Sequence, residues 1–177
     1  MKNHKRSNLT IILFIVYILL LTGVILFKLP FYSERFSDGI RVINLIPLQG
    51  SFDENGAILL REIIINILIF IPMGIYISML KPKWPFFKKV LPVIALTFTF
   101  ELIQFIFAMG RTDVTDILGN TLGGIIGIAM SAFFFKIFKN RTVKVVNILA
   151  LIITVCIIWG FSQLFYLSHF VMGRLQS

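Results

Sequence analysis

Residues 90–135 read VLPVIALTFTFELIQFIFAMGRTDVTDILGNTLGGIIGIAMSAFFF. Two long apolar stretches in this segment are separated by a short polar one, at about 110–116. Each apolar stretch approaches the ~20 residues that an α-helix needs to cross a hydrocarbon core about 30 Å thick. Because a chain in lipid must satisfy its own backbone hydrogen bonds, the segment predicts two transmembrane helices joined by a tight reversal.

The rest of the chain continues this pattern. Apolar segments lie at about 9–29, 63–80, 90–109, 117–135 and 145–167 of the 177 residues. Hydrophobic residues make up 58% of the chain and charged residues only 14%, whereas a soluble domain carries roughly 25% charged residues. We therefore predict a single all-α, polytopic membrane domain with about five transmembrane helices.

Basic and acidic residues are segregated along the chain. There are 17 Lys and Arg against 8 Asp and Glu, a formal net charge of +9. The segments 2–6, 81–89 and 136–144 contain basic residues and no acidic ones. The positive-inside rule places such segments in the cytoplasm, so we expect the N-terminus inside and the C-terminus outside. The basicity then reflects topology and contact with membrane lipids rather than nucleic-acid binding.

Residues 30–62 form the only long connection on the predicted outer side. Within it, residues 40–48 are mostly apolar but too few to cross a bilayer. This stretch, which contains Asn44, is expected to be an interfacial or re-entrant piece that folds back on the helices.

Glu101 is the most informative polar residue of the apolar segments. It lies about eight residues, roughly 12 Å, below the predicted outer end of its helix, and Gln104 shares its helix face. An ionised carboxylate at such a depth costs about 2.5–3.5 kcal/mol. Glu101 must therefore be partnered, protonated or in contact with water, and the candidate partners are Gln104, Asn66, Arg61 and Arg111.

Asp113, Asp116 and Asn120 have the spacing i, i+3 and i+7, which places them on one face of a helix that begins near residue 112. One interpretation is a functional cluster with Glu101. The other is structural: Thr112 or Asp113 would cap the helix, and Asp116 would be stabilised by the helix dipole.

Three further polar residues belong to the same predicted outer side. Arg61 is either an interfacial anchor or part of the site. Asn66 is either a ligand-binding group or a hydrogen-bonding contact between helices, worth about 1 kcal/mol. Arg111 could bind an anionic headgroup or phosphate, or it could neutralise the nearby carboxylates.

Gly119, Gly123 and Gly127 recur every four residues, which predicts close packing of this helix against another. No Ser-His-Asp set, glycine-rich phosphate loop or cysteine cluster is present in the sequence. We predict no cofactor and no metal.

Four motifs together resemble the VanZ-like family. They are NLIP at 44–47, NILIFIPMG at 66–74, ELIQ at 101–104 and RTDVTDILGNTLGG at 111–124. The resemblance covers about residues 40–135, in order, while the first and last helices carry no signature. It implies a bacterial plasma-membrane protein that contributes to resistance against teicoplanin and related lipoglycopeptides, but it does not imply a reaction.

Three mechanisms are compatible with this resemblance. The outer polar site could bind a lipid-linked cell-envelope component or the lipoglycopeptide itself, and this interpretation is favoured because the carboxylates have no evident nucleophile beside them. Alternatively, the protein is an enzyme that modifies an envelope lipid or glycan, with Glu101, Asp113 and Asp116 as catalytic candidates. Transport is the weakest alternative, since no internal repeat is visible and the polar residues stop in the outer half. The oligomeric state stays open.

Overall fold

The computed structural model describes residues 8–27, 42–48, 60–107 and 111–175. The helices are α1 (Asn8–Phe27), α2 (Leu60–Leu80), α3 (Phe86–Ile106), α4 (Val114–Phe138) and α5 (Thr142–Leu175), with a 3-10 turn at Lys139–Arg141 between the last two. Two short strands, β1 (Val42–Asn44) and β2 (Arg111–Asp113), complete the described elements. Helices α2 to α5 each begin three or four residues before the corresponding apolar segment of the sequence, because the first turn of a membrane helix can lie in the polar interface.

Four helical stretches of the described chain are long and apolar enough to cross a membrane: Asn8–Leu26, Leu60–Leu80, Phe86–Ile106 and Val114–Gly160. The last contains α4, the 3-10 turn and part of α5. The chain changes direction there, because the Thr142 hydroxyl donates to the Phe134 carbonyl oxygen at 3.1 Å, whereas eight residues of continuous helix cover about 12 Å. The helical, membrane-type fold is thus confirmed, while five crossings and the sides of the termini stay predictions.

The contact between α2 and α4 is a contact between backbones. Gly123 of α4 lies against the carbonyl oxygen of Ile67, and Gly127 lies against that of Ile71, so a Cβ at either glycine would collide with α2. The contacts advance by four residues on both helices, which means that α2 and α4 run parallel. Small residues permit this approach, as the glycine repeat predicts.

Helix α3 packs against the same two helices in the opposite direction. The Val93 side chain lies against Gly124, and Asn120 Nδ2 donates to Thr97 Oγ1 at 2.7 Å, so residue numbers fall along α3 as they rise along α4. Val93 of α3 and Phe70 of α2 are fully buried in the core formed by these helices.

Helix α1 contacts α2 beside a proline. The Tyr17 hydroxyl donates to the carbonyl oxygen of Ile69 at 2.8 Å, three residues before Pro72, which lies inside α2. A proline has no N–H for the ladder, and its ring crowds the preceding turn. Polar side chains of neighbouring helices can satisfy backbone groups that such a turn leaves free in a membrane. Tyr17 binds the carbonyl oxygen next to that of Leu68, which lacks its ladder donor at Pro72, and so adds a polar contact beside the interrupted turn.

Two further hydrogen bonds fix the direction of α1. Near its start, Thr10 and Asn147 of α5 form a buried pair, with Asn147 Nδ2 donating to Thr10 Oγ1 at 2.9 Å. Near its end, the Ile25 carbonyl oxygen accepts from Gln104 Nε2 at 3.1 Å. Because Asn147 follows the 3-10 turn and Gln104 is near the end of α3, α1 runs antiparallel to α2 and α4 and in the same direction as α3.

The bundle consequently has two different ends. The basic end, defined by residues 81–89 and 136–144, contains the C-terminal ends of α2 and α4 and the first turns of α3 and α5. The polar end, at the opposite ends of these helices, contains Asn44, Asn66, Glu101, Asp113 and Asp116. Two of the three basic segments of the sequence therefore lie on one side, and α1 begins on that side. The side of the membrane that this end faces stays a prediction of the positive-inside rule.

The small parallel sheet was not part of the all-α prediction. Val42, Ile43 and Asn44 pair with Arg111, Thr112 and Asp113. Three-residue strands are too short to show a period of two in the sequence. Hydrophobic periodicity therefore could not predict them. The sheet joins the long connection after α1 to the reversal between α3 and α4.

We predict that Gly123→Leu lowers the folded yield and the melting temperature of the protein in detergent, because the new side chain would separate α2 from α4. The matched control is Gly119→Ala, whose added Cβ would meet Asn66 Cβ at an ordinary contact distance of 3.5 Å. A Gly123→Leu protein with the yield and melting behaviour of the wild type would show that this face of α4 meets only lipid.

Candidate functional site

The Glu101 carboxylate lies at the polar end, where the chain reverses between α3 and α4. Glu101 is 4% exposed, and its Oε2 accepts a hydrogen bond from the backbone N–H of Asp113 at 3.0 Å. The Thr112 hydroxyl also donates to the Glu101 carbonyl oxygen, at 3.4 Å. A buried carboxylate is stable only with such partners. The described partner of its carboxylate is a backbone group, which was not among the side chains that the sequence analysis considered.

Asp113 joins three elements through its side chain. It is the N-cap of α4, and its Oδ1 accepts from the backbone N–H of Thr115 at 2.8 Å. Its Oδ2 accepts from Asn44 Nδ2 of β1 at 3.0 Å. With its own backbone N–H bound to Glu101, Asp113 connects α3, α4 and β1. Both carboxylate oxygens have donors, so the geometry favours the structural interpretation of Asp113 over a catalytic one.

Residues 44–48 fold onto the start of α4. The backbone N–H of Ile46 donates to Asn44 Oδ1 at 3.3 Å, and that of Leu48 donates to Thr115 Oγ1 at 2.9 Å. Leu48 has a φ of +67°, a left-handed conformation that costs a non-glycine residue roughly 1–2 kcal/mol. The bond to Thr115 helps to hold this segment in place.

Asn66 and Asp116 form the second pair of the polar end. Asn66 Nδ2 of α2 donates to Asp116 Oδ1 in the first turn of α4, at 2.6 Å. Both residues are partly exposed, unlike Glu101 and Asp113. Asp116 is also favoured by the positive end of the helix dipole. This pair is therefore a more exposed carboxylate contact than the one formed by Glu101 and Asp113.

Gln104 and Asn120 are buried at the interfaces of α3, with 3% exposure each. Their amide nitrogens donate to Ile25 and Thr97, as described above. Gln104 Oε1 and Asn120 Oδ1 have no hydrogen-bond partner among the described residues. Neither amide has a described hydrogen bond to a carboxylate, so the structure brings these two predicted site residues near the cluster without joining them to it.

The two arginines predicted for the site, Arg61 and Arg111, lie on different elements. Arg61 is exposed in the first turn of α2. The backbone of Arg111 pairs with Val42 in the sheet, but its side chain lies outside the described part of the structure. The predicted role of Arg111 in binding an anionic group or neutralising the carboxylates thus stays a prediction.

Thr97 and Thr115 are members of the network that the sequence analysis did not single out. Thr97 is fully buried one turn before Glu101, and its hydroxyl accepts from Asn120. Its i−4 spacing from Glu101 is a signal that could have identified it. Thr115 carries no comparable signal, because its role depends on the distant residue Leu48.

The described side chains do not suggest a metal centre. Among residues 8–27, 42–48, 60–107 and 111–175, no group of three or more His, Cys, Asp or Glu residues could hold a metal ion. The site therefore offers carboxylate and amide groups, suited to hydrogen-bonding and electrostatic recognition. The prediction of no cofactor stays untested.

Comparison with known proteins identifies the family. The family model described as VanZ/LLP1 matches residues 14–136. The chain is also 35% identical over 145 residues to Protein VanZ of Enterococcus faecium, an alignment that covers 78% of this chain and 85% of that protein. The chain belongs to the VanZ/LLP1 family. The resemblance found in the motifs is thus confirmed.

The VanZ/LLP1 match contains every member of the polar end. It begins within α1, before the motif-bearing segment at about 40–135, and ends within α4. Helix α5 lies beyond it. No solved structure matches the chain.

We predict that Asp113→Ala lowers the stability of the protein in detergent by about 1 kcal/mol or more, because an N-cap is lost and Asn44 loses its partner. Thermal unfolding of the purified protein measures this change. Leu118→Ala is the control, since Leu118 lies on the same helix, is 53% exposed and faces away from the network. Equal melting temperatures for Asp113→Ala and wild type would contradict the structural role.

Proposed function

We propose that this protein contributes to teicoplanin and lipoglycopeptide resistance by binding, at its polar end, either a lipid-linked cell-envelope component or the drug itself. The family supports a link to glycopeptide resistance. The proposed location is the plasma membrane of a bacterium, with the polar end in the outer leaflet. The binding keeps the drug from its target close to the membrane.

The observation that carries the proposal is the position of charged groups at one end of an apolar bundle. Glu101 is buried within one helical reversal of the partly exposed Asn66–Asp116 pair. Ionisable groups inside membrane segments are costly and are most often functional. A ligand in the outer leaflet could reach Asp116 and Arg61 first, with Glu101 holding the framework behind them.

Binding is better supported than catalysis of an envelope modification. Asp113, one of the three catalytic candidates, uses both carboxylate oxygens to hold α4 and β1. No serine, cysteine or histidine belongs to the hydrogen-bond network of the described polar end, so a nucleophile of these three types is lacking there. Asp116 is left as a charged group that can contact a ligand, and the buried charge of Glu101 acts on the ligand only through the field of the polar end.

We predict that Glu101→Gln abolishes protection against teicoplanin-like drugs while the protein still accumulates in the membrane. Glutamine preserves the shape and can still accept from the Asp113 N–H, but it removes the charge. Asp116→Asn should reduce protection as well. The measurement is the susceptibility of a Gram-positive host that expresses each variant at matched membrane levels.

The control for this experiment is Leu118→Ala, which changes an exposed apolar residue two positions after Asp116, on a different face of α4, and should leave protection unchanged. If Glu101→Gln and Asp116→Asn both retained full protection at normal expression, the polar end would serve only to hold the helices together. The proposed function would then be wrong.

A further inference from the structure

The basic end carries a cluster of positive charge that the proposed function does not use. Its exposed basic residues come from the α2–α3 connection and from the α4–α5 turn, and they are Lys83, Lys88, Lys136, Lys139, Arg141 and Lys144. Lys81 and Lys89 are partly buried beside them. All eight belong to the two segments 81–89 and 136–144 that define this end.

Helix packing, rather than sequence, brings these two segments together. They are far apart in the chain, but α2 and α4 run parallel in backbone contact at Gly123 and Gly127. Helix α3 then starts where α2 ends and packs against α4 through Val93 and Gly124. The end of α4 and the start of α3 therefore lie at the same level of the bundle.

The charge has no acidic partner nearby in the chain. No Asp or Glu occurs between residues 63 and 100, and none occurs after residue 116. The acidic residues of α3 and α4, Glu101, Asp113 and Asp116, are at the polar end. Like charges gathered at one membrane surface attract anions from outside the protein.

Aromatic and apolar side chains surround the basic residues. Lys81 Nζ lies 5.0 Å from the centroid of the Trp84 ring, a cation–π distance. Phe87 is 82% exposed, and Leu91 one turn later is 64% exposed. Aromatic residues are enriched where a membrane protein crosses the headgroup layer, so we expect the lysines to lie at the level of the lipid phosphates, with acyl chains beside Phe87 and Leu91.

We propose that the basic end is a binding surface for anionic phospholipids, whose phosphates contact the lysines while their acyl chains contact the exposed apolar residues of α3 and α4. A free phosphate ion would use the charges but leave the apolar surface uncovered. The exposed side chains Phe87, Leu91, Phe133 and Ile137 therefore favour a lipid over a soluble anion. This inference is independent of the function of the polar end.

The test uses the intact protein purified in detergent. Phosphatidylglycerol and phosphatidylcholine are added in equal amounts, and native mass spectrometry measures the ratio of the two lipids bound. The variant is Lys88→Gln with Lys139→Gln, two exposed positions from the two segments. The control is Lys88→Arg with Lys139→Arg, which keeps both charges.

We expect the wild type and the arginine control to retain phosphatidylglycerol in preference to phosphatidylcholine. The preference should fall about fivefold for each charge removed, and hence about 25-fold in the double glutamine variant. In each single glutamine variant the preference for phosphatidylglycerol should fall about fivefold. If the double variant melts at a lower temperature than the wild type, the single variants provide the test.

Three results would overturn the proposal. In the first, the wild type binds both lipids equally. In the second, the glutamine variants keep the full preference for phosphatidylglycerol. In the third, inorganic phosphate displaces phosphatidylglycerol at equal concentration, which would indicate a site for soluble anions.

Discussion

The backbone contact between α2 and α4 is the constraint on which the rest of the structure depends. Gly123 and Gly127 lie directly on carbonyl oxygens of α2, so the observed register requires residues without side chains at both positions. This register places Asn66 beside Asp116 at one end and brings the two basic connections together at the other. In a bilayer, where lipid is as apolar as leucine, such close packing and hydrogen bonding replace the hydrophobic effect in holding helices together.

The reversal between α3 and α4 must satisfy its backbone hydrogen bonds within the protein. Its backbone leaves the helical ladder, and its N–H groups need acceptors inside the protein. Glu101 accepts from Asp113, which in turn caps α4 and holds β1. The buried carboxylate and the free backbone group thus satisfy one another. Among the described residues, the Asn66–Asp116 pair of the polar end is more exposed than Glu101 and Asp113.

The sequence predicted the helical membrane fold, the family and the close packing at the glycine repeat, because each depends on local composition or spacing. It could not name α2 as the partner of those glycines, since a residue without a side chain carries no information about what approaches it. A capping role for Thr112 or Asp113 was one of the interpretations left open, and the structure shows the cap at Asp113. The sequence could not point to the Asp113 N–H as a partner of Glu101, because every residue except proline carries a backbone N–H. The pairing of β1 with β2 depends on contacts across almost seventy residues.

The proposed function requires the polar end to face the outside of the cell, and thiol labelling tests this orientation directly. With Cys156→Ser as background, Leu45→Cys places a thiol at the polar end, where Leu45 is 72% exposed beside Asn44. Asn140→Cys places one at the exposed basic end. On intact cells, a membrane-impermeant maleimide should label the Leu45→Cys protein and leave the Asn140→Cys protein unlabelled until the membrane is opened. The reverse pattern would put the polar end in the cytoplasm and contradict the proposed binding at the outer leaflet.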